Sequence, residues 1–131
     1  ELNINSRRIQ WIEYLTVISE KTAALFQTSS KLGAIIGGGN EKEINALANY
    51  GLNLGIAYQI HDDILDWGVD DKFLKLSQDK DVQENIVSLK KLREHGTLYA
   101  ENAKKQLDKI KKSECKEFLY YLADFTVKRD Y

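Results

Sequence analysis

Tyr50-Gly51-Leu52-Asn53-Leu54-Gly55-Ile56-Ala57-Tyr58-Gln59-Ile60-His61-Asp62-Asp63-Ile64-Leu65-Asp66 decides how the chain folds. Apolar and small residues recur through it at helical spacing, with no Pro to interrupt backbone hydrogen bonding. Extended backwards to Ile44 and Ala48, one face reads Ile44, Ala48, Gly51, Gly55, Gln59, Asp62, Asp66. The small residues remove bulk from the middle of that face. Either a second helix approaches closely there, the commoner use of such spacing, or a slot is left open leading to the carboxylates. Asn40, with Glu43 three residues on, forms a capping box at the start of this helix. It is expected to run from 41 to about 66, about 40 Å at 1.5 Å per residue.

Working outward, the whole chain reads as helical. Among its 131 residues there is no Pro, and Ala, Leu, Lys, Glu and Gln are plentiful. Ser6 can cap a helix beginning at Arg7, and Trp11, Leu15, Ile18, Thr22 and Leu25 alternate spacings of four and three, which places Thr22 on the buried stripe and Lys21 at its edge. Gly37-Gly38-Gly39 is expected to end that helix. The segment 67–81 mixes acids, lysines and a few apolar residues without clear period and reads as a loop with one short helical turn. Two helices, 82–95 and 97–111, follow with a break at Gly96, and Glu101/Lys105 and Asp108/Lys112 are spaced i,i+4 on exposed faces. Ser113 can cap a last helix carrying Phe118, Leu119, Leu122 and Phe125 inward.

Composition narrows the function. A net charge of −1 with both signs interspersed supplies no field that would gather nucleic acid. The single Cys115 excludes an internal disulfide framework and suits a reducing, intracellular setting. No apolar run approaches the roughly 20 residues of a membrane span, and the N-terminus does not read as a signal peptide. The chain starts at Glu1 and contains no Met, so it reads as part of a longer polypeptide.

The three aspartates are the first candidate for chemistry. Crowded into what reads as the last turn of their helix, Asp62, Asp63 and Asp66 oppose the helix dipole, a placement that makes sense if a cation or cationic ligand sits there. Asp62 and Asp66 are one turn apart and could reach one hard cation, while Asp63 points about 100° away and would act through water. Mg²⁺ suits such a set, because it needs few carboxylates, keeps several waters and takes other ligands from phosphate oxygens. Taken alone, the acids are as readily a solvated helix end. Lys21 alone is an ordinary exposed lysine, Thr22 an ordinary stripe residue, and His61 and His95 read as structural.

The order of motifs adds what single residues cannot. Tyr14 to Phe26 (YLTVISEKTAALF), Leu32-Gly33-Ala34, the run 50–66, and Leu122-Ala123-Asp124-Phe125-Thr126-Val127-Lys128-Arg129-Asp130 together resemble the C-terminal half of the trans-type polyprenyl diphosphate synthases. The resemblance implies the C-terminal portion, 1–131, of a single all-α bundle of the isoprenoid-synthase type. It implies Mg²⁺ as cofactor and isopentenyl diphosphate and an allylic diphosphate as substrates. Asp62 would then be the direct metal ligand, with Asp63 and Asp66 holding metal-bound waters. Lys21 would bind the diphosphate, Thr22 and Gln59 would face an allylic cation, and Lys21, Tyr58 and Gln59 would line the substrate. A cytoplasmic homodimer is what the family leads one to expect.

The chain departs from that pattern in three places. The first Asp-rich motif and the basic residues that hold isopentenyl diphosphate belong to the N-terminal half and are missing, so the chain by itself is not expected to turn over. After Asp66 the family's Gly-Lys pair and basic, Pro-containing stretch are replaced by 67–81, in which Lys72 and Lys75 stand in no matching frame. Either the lid is deleted or a loop is not included. Tyr58 stands where the family commonly has Phe. These departures keep two further readings open: a catalytically silent helical subunit that regulates an active prenyl synthase, and a class I terpene synthase on the same bundle.

Overall fold

The computed structural model describes residues 11–76 and 80–130, with side chains described except at 11 and 67–88. It is all-helical: α1 (Trp11–Ile18), a π-helical turn (Ser19–Ala23), α2 (Ala24–Ile36), α3 (Glu41–Leu76), α4 (Lys80–Gln106), a 3₁₀ turn (Leu107–Lys109) and α5 (Glu114–Lys128). The expected start at Arg7 and its Ser6 cap lie outside the described residues.

The helix ends follow their local chemistry. Asn40 and Glu43 bond reciprocally, Glu43 N–H to Asn40 Oδ1 at 2.9 Å and Asn40 N–H to Glu43 Oε1 at 3.0 Å, as a capping box should. The glycine triplet ends α2 in a Schellman motif, with Gly39 N–H on Ala34 O at 2.9 Å and Gly38 N–H on Ile35 O at 3.1 Å. That turn needs the φ of +79° that Gly38 adopts. Ser113 Oγ accepts from Lys116 N–H at 3.1 Å and starts α5.

The long α3 is the axis of the bundle. On one stretch its Ile56, Ile60 and Ile64 pack with Tyr14, Ile18, Ala23 and Leu89, and on another its Tyr50 and Leu54 pack with Ala103, Leu107 and Ala123. The Tyr50 hydroxyl, whose pKa burial pushes up, donates to Leu119 O at 2.6 Å and ties α3 to α5. At the far end of α5, Arg129 O lies 2.5 Å from His61 Nε2 and its guanidinium stacks 4.4 Å over the Tyr58 ring, so the end of α5 is fastened to α3 one turn before the aspartates.

Several expectations are corrected here. Most of the expected loop at 67–81 is helix: α3 continues to Leu76 and α4 begins at Lys80. The stretch has no Pro, a single Gly68, and Asp71 and Lys75 at i,i+4 spacing, so nothing in it stops a helix. The aspartates are therefore mid-helix and not in a last turn, and the opposition to the helix dipole does not arise.

Gly96 does not break a helix either. It lies inside α4, buried against α3, where an added Cβ would sit 3.2 Å from Ile60 Cγ2. Glu101 pairs with Lys104 at 2.7 Å instead of Lys105, and Asp108 and Lys112 are separated by the end of the 3₁₀ turn, so helical i,i+4 spacing does not apply to them. In α5, Phe118 is 60% exposed while Ala123 and Thr126 are buried, so the inward face is Leu119, Leu122, Ala123 and Thr126.

Lys104 also meets Asp124 Oδ1 at 2.7 Å and lies 5.0 Å over the Tyr120 ring, joining α4 to α5. The hydrogen bond from Lys104 holds the Asp124 carboxyl below its ordinary pKa. A depressed folded pKa contributes stability above the unfolded value, about 3.9 for Asp, that is lost as pH falls through the folded value. We therefore expect Asp124→Asn to cost about 1 kcal/mol or less at neutral pH. In urea melts at a series of pH values, the gap from wild type should close once the carboxylate titrates.

Candidate functional site

The π turn at Ser19–Ala23 sets the site. The Ala24 N–H bonds to Ser19 O, five residues back, so one residue more than an α-helix allows is accommodated. Ile18 and Ala23, five apart, are both buried at 4% and 0%, whereas Leu25, assigned to the buried stripe by regular spacing, is 67% exposed. Phe26 packs in its place. Such turns recur at functional sites. This one contains Lys21 and Thr22.

Gly51 and Gly55 let α2 and the π turn close onto α3. A Cβ on Gly55 would lie 2.7 Å from Ala23 Cα, and one on Gly51 would lie 2.5 Å from Phe26 O and Ser30 Oγ. The small-residue face of α3 is thus a packing surface at those positions and not an open slot, and it brings Thr22 up to Gln59.

From there a hydrogen-bonded chain runs across the two helices. Thr22 Oγ1 donates to Gln59 Oε1 at 2.9 Å, Gln59 Nε2 donates to Asp63 Oδ1 at 3.0 Å, and the Tyr14 hydroxyl donates to Asp63 Oδ2. Gln59 and Asp63 share a face of α3 because they are i,i+4. Tyr14 is 4% exposed, and burial together with the Asp63 charge pushes its pKa up, so the phenol stays protonated as a donor. Burial also raises the Asp63 pKa. The Tyr14 and Gln59 hydrogen bonds oppose that rise, and the charges of Asp62 and Asp66 add to it.

Three of the candidate residues, Thr22, Gln59 and Asp63, are thus joined where the π turn meets α3, and Asp62 and Asp66 lie on α3 near enough for their charges to act on Asp63. Lys21, next to Thr22, is exposed to solvent. Tyr58 is 37% exposed and faces elsewhere, between the Arg129 guanidinium and the Phe26 ring, whose centroid is 5.4 Å away. Tyr14 is the member of the network that sequence reasoning did not single out. No spacing rule in the sequence joins it to Asp63.

Among the described residues, no three His, Cys, Asp or Glu side chains form a ready-made metal cluster. Asp62 and Asp66 nevertheless have no hydrogen-bond or ion-pair partner among the described residues, so their oxygens are available, while both oxygens of Asp63 are engaged by Tyr14 and Gln59. Two available carboxylates beside a third form a set that fits Mg²⁺ completed by water and phosphate oxygens, and does not fit an all-protein cage for Ca²⁺.

The polyprenyl synthetase family profile matches residues 2–122. The chain belongs to this family. It is 49% identical over 72 residues to a geranylgeranyl diphosphate synthase of Sulfolobus acidocaldarius, covering 55% of this chain and 22% of that protein. A geranylgeranyl pyrophosphate synthase of Geoglobus acetivorans is 30% identical across 91% of this chain and 49% of its own length. Among solved structures, a decaprenyl diphosphate synthase from Rhodobacter capsulatus superposes with a TM-score of 0.76 at 31% identity, covering 92% of this chain and 50% of that one. A polyprenyl synthase from Caulobacter crescentus, crystallised with calcium and isoprenyl diphosphate, superposes with a TM-score of 0.77 at 30% identity, over 92% and 49%.

This polyprenyl synthetase chain spans about half the length of the Geoglobus, Rhodobacter and Caulobacter relatives. The Geoglobus alignment extends over 156 positions, more than the 131 residues of this chain, so that relative carries residues within the matched region that have no counterpart here. Among the described residues, no helix is long and apolar enough to cross a membrane.

Proposed function

We propose that this chain is the C-terminal half of a synthase that condenses isopentenyl diphosphate with an allylic diphosphate to give a linear all-trans polyprenyl diphosphate. The observation that carries the reading is the Thr22–Gln59–Asp63 run, which joins the aspartate motif to the Lys-Thr turn. In the reaction the allylic C–O bond breaks, diphosphate leaves, the double bond of isopentenyl diphosphate forms the new C–C bond, and a proton is lost from carbon.

Each residue has a part that its chemistry allows. Asp62 and Asp66 would hold Mg²⁺, which when bound neutralises charge growing on the departing diphosphate. The Lys21 ammonium, exposed beside the turn, is a point charge for the same diphosphate. Thr22 and Gln59 offer oxygen dipoles to an allylic cation and no nucleophile that would trap it. The same reading makes the protein a cytoplasmic homodimer.

A second reading is favoured by the residues that the relatives carry and this chain does not: a helical subunit without turnover of its own that pairs with an active synthase. One assay separates them. Full-length protein incubated with Mg²⁺, isopentenyl diphosphate and an allylic diphosphate should release a longer linear diphosphate. No product alone, but a changed rate when mixed with an active synthase, would establish the regulatory reading. A cyclised hydrocarbon would establish terpene synthase chemistry.

A further inference from the structure

We propose that Tyr14 is a positioning residue of this site: with Asp63 it fixes which end of the Gln59 amide faces Thr22. The inference rests on the prenyl-transfer reading for its catalytic consequence, though not for its geometry. An ionised carboxylate only accepts, so the end of Gln59 that meets Asp63 must be its NH₂ group. Its carbonyl oxygen then points to Thr22, whose hydroxyl donates to it. The direction of the whole chain is therefore set at Asp63.

Asp63 could rotate about its own side chain, and a rotated carboxylate would release Gln59. The Tyr14 hydroxyl, donating to the second oxygen from a buried ring, prevents that rotation. Tyr14 lies on α1 and Asp63 on α3, so the contact also locks the helix before the π turn to the helix carrying the aspartates. The three carboxylates accordingly divide their work. Asp62 and Asp66 keep oxygens available for a cation, and Asp63 orients the amide.

Flipping Gln59 would turn the positive end of its dipole toward Thr22 and the cation that the two groups are proposed to face. The test uses full-length Tyr14→Phe, with Asp63→Asn as a second variant that keeps the volume and removes the charge. In metal-free protein labelled with ¹⁵N, the Gln59 side-chain NH₂ resonances should move in both variants. Tyr14→Phe should lower kcat by about 10–100-fold, with KM for the allylic diphosphate within about twofold and a melting temperature near that of wild type.

Unchanged Gln59 resonances in both variants would overturn the proposal. So would a Tyr14→Phe protein whose rate falls only in proportion to its folded fraction. If wild-type protein elongates no diphosphate, the prenyl-transfer reading fails while the Gln59 resonances still decide the positioning role.

Discussion

Replacing Asp62 with Ala in the full-length protein should lower prenyl transfer by at least about 100-fold while leaving the fold intact. The two halves of that expectation have separate causes. Asp62 has no hydrogen-bond or ion-pair partner among the described residues, so its removal breaks no bond and leaves no buried group unsatisfied. Its charge raises the pKa of Asp63, so its loss relieves repulsion between neighbouring carboxylates and should leave stability unchanged or slightly higher. Turnover is another matter. With Asp63 occupied by Tyr14 and Gln59, Asp62 and Asp66 are the available oxygens of the motif. Losing Asp62 leaves one exposed carboxylate to hold the cation. Steady-state rates at saturating Mg²⁺, beside thermal melts of the same preparation, measure both halves. A near-normal rate would refute the assignment of the motif to metal binding.

Particular residues show how much of this was legible in the chain. Asn40, Glu43 and Ser113 announced their caps because capping is local chemistry, complete within four residues. The all-α class and the family could be read because the motifs keep their order along the chain. What failed at Gly96 and Phe118 depends on a partner helix. Gly96 reads as a break in isolation, but opposite Ile60 it is a point of close approach between α3 and α4. Phe118 looks like core because it is aromatic, while α5 actually turns Ala123 and Thr126 inward.

The candidate site divides along the same line. Gln59 and Asp63 sit i,i+4 on one helix, and that relation is visible in the sequence. Tyr14 meets Asp63 across 49 positions, which no spacing rule reaches. The π turn hid the rest: by absorbing one residue between Ile18 and Ala23 it shifts the buried face, so a strict alternation of threes and fours puts Leu25 inside when it is outside.

The closeness of α2 to α3 gives the second large effect: Gly55→Ala should destabilise the protein by about 1–3 kcal/mol. The new Cβ would stand 2.7 Å from Ala23 Cα and 3.0 Å from Phe26 Cβ. A backbone atom cannot swing aside as a side-chain tip can, so the π turn must move off α3 and carry Thr22 away from Gln59. Site and stability are therefore coupled at this position, and activity should fall along with the urea midpoint. Two other glycines calibrate the measurement. At Gly96 the crowding atom is Ile60 Cγ2, the end of a side chain 3.2 Å away, and Gly96→Ala should cost less. At Gly33 nothing lies within 4 Å, so Gly33→Ala, inside α2, should be neutral or stabilise by up to about 1 kcal/mol through helix propensity. If Gly55→Ala instead behaved like Gly33→Ala, the helices would not be in contact there. The small-residue face would then be the open approach to the carboxylates that the sequence also allows.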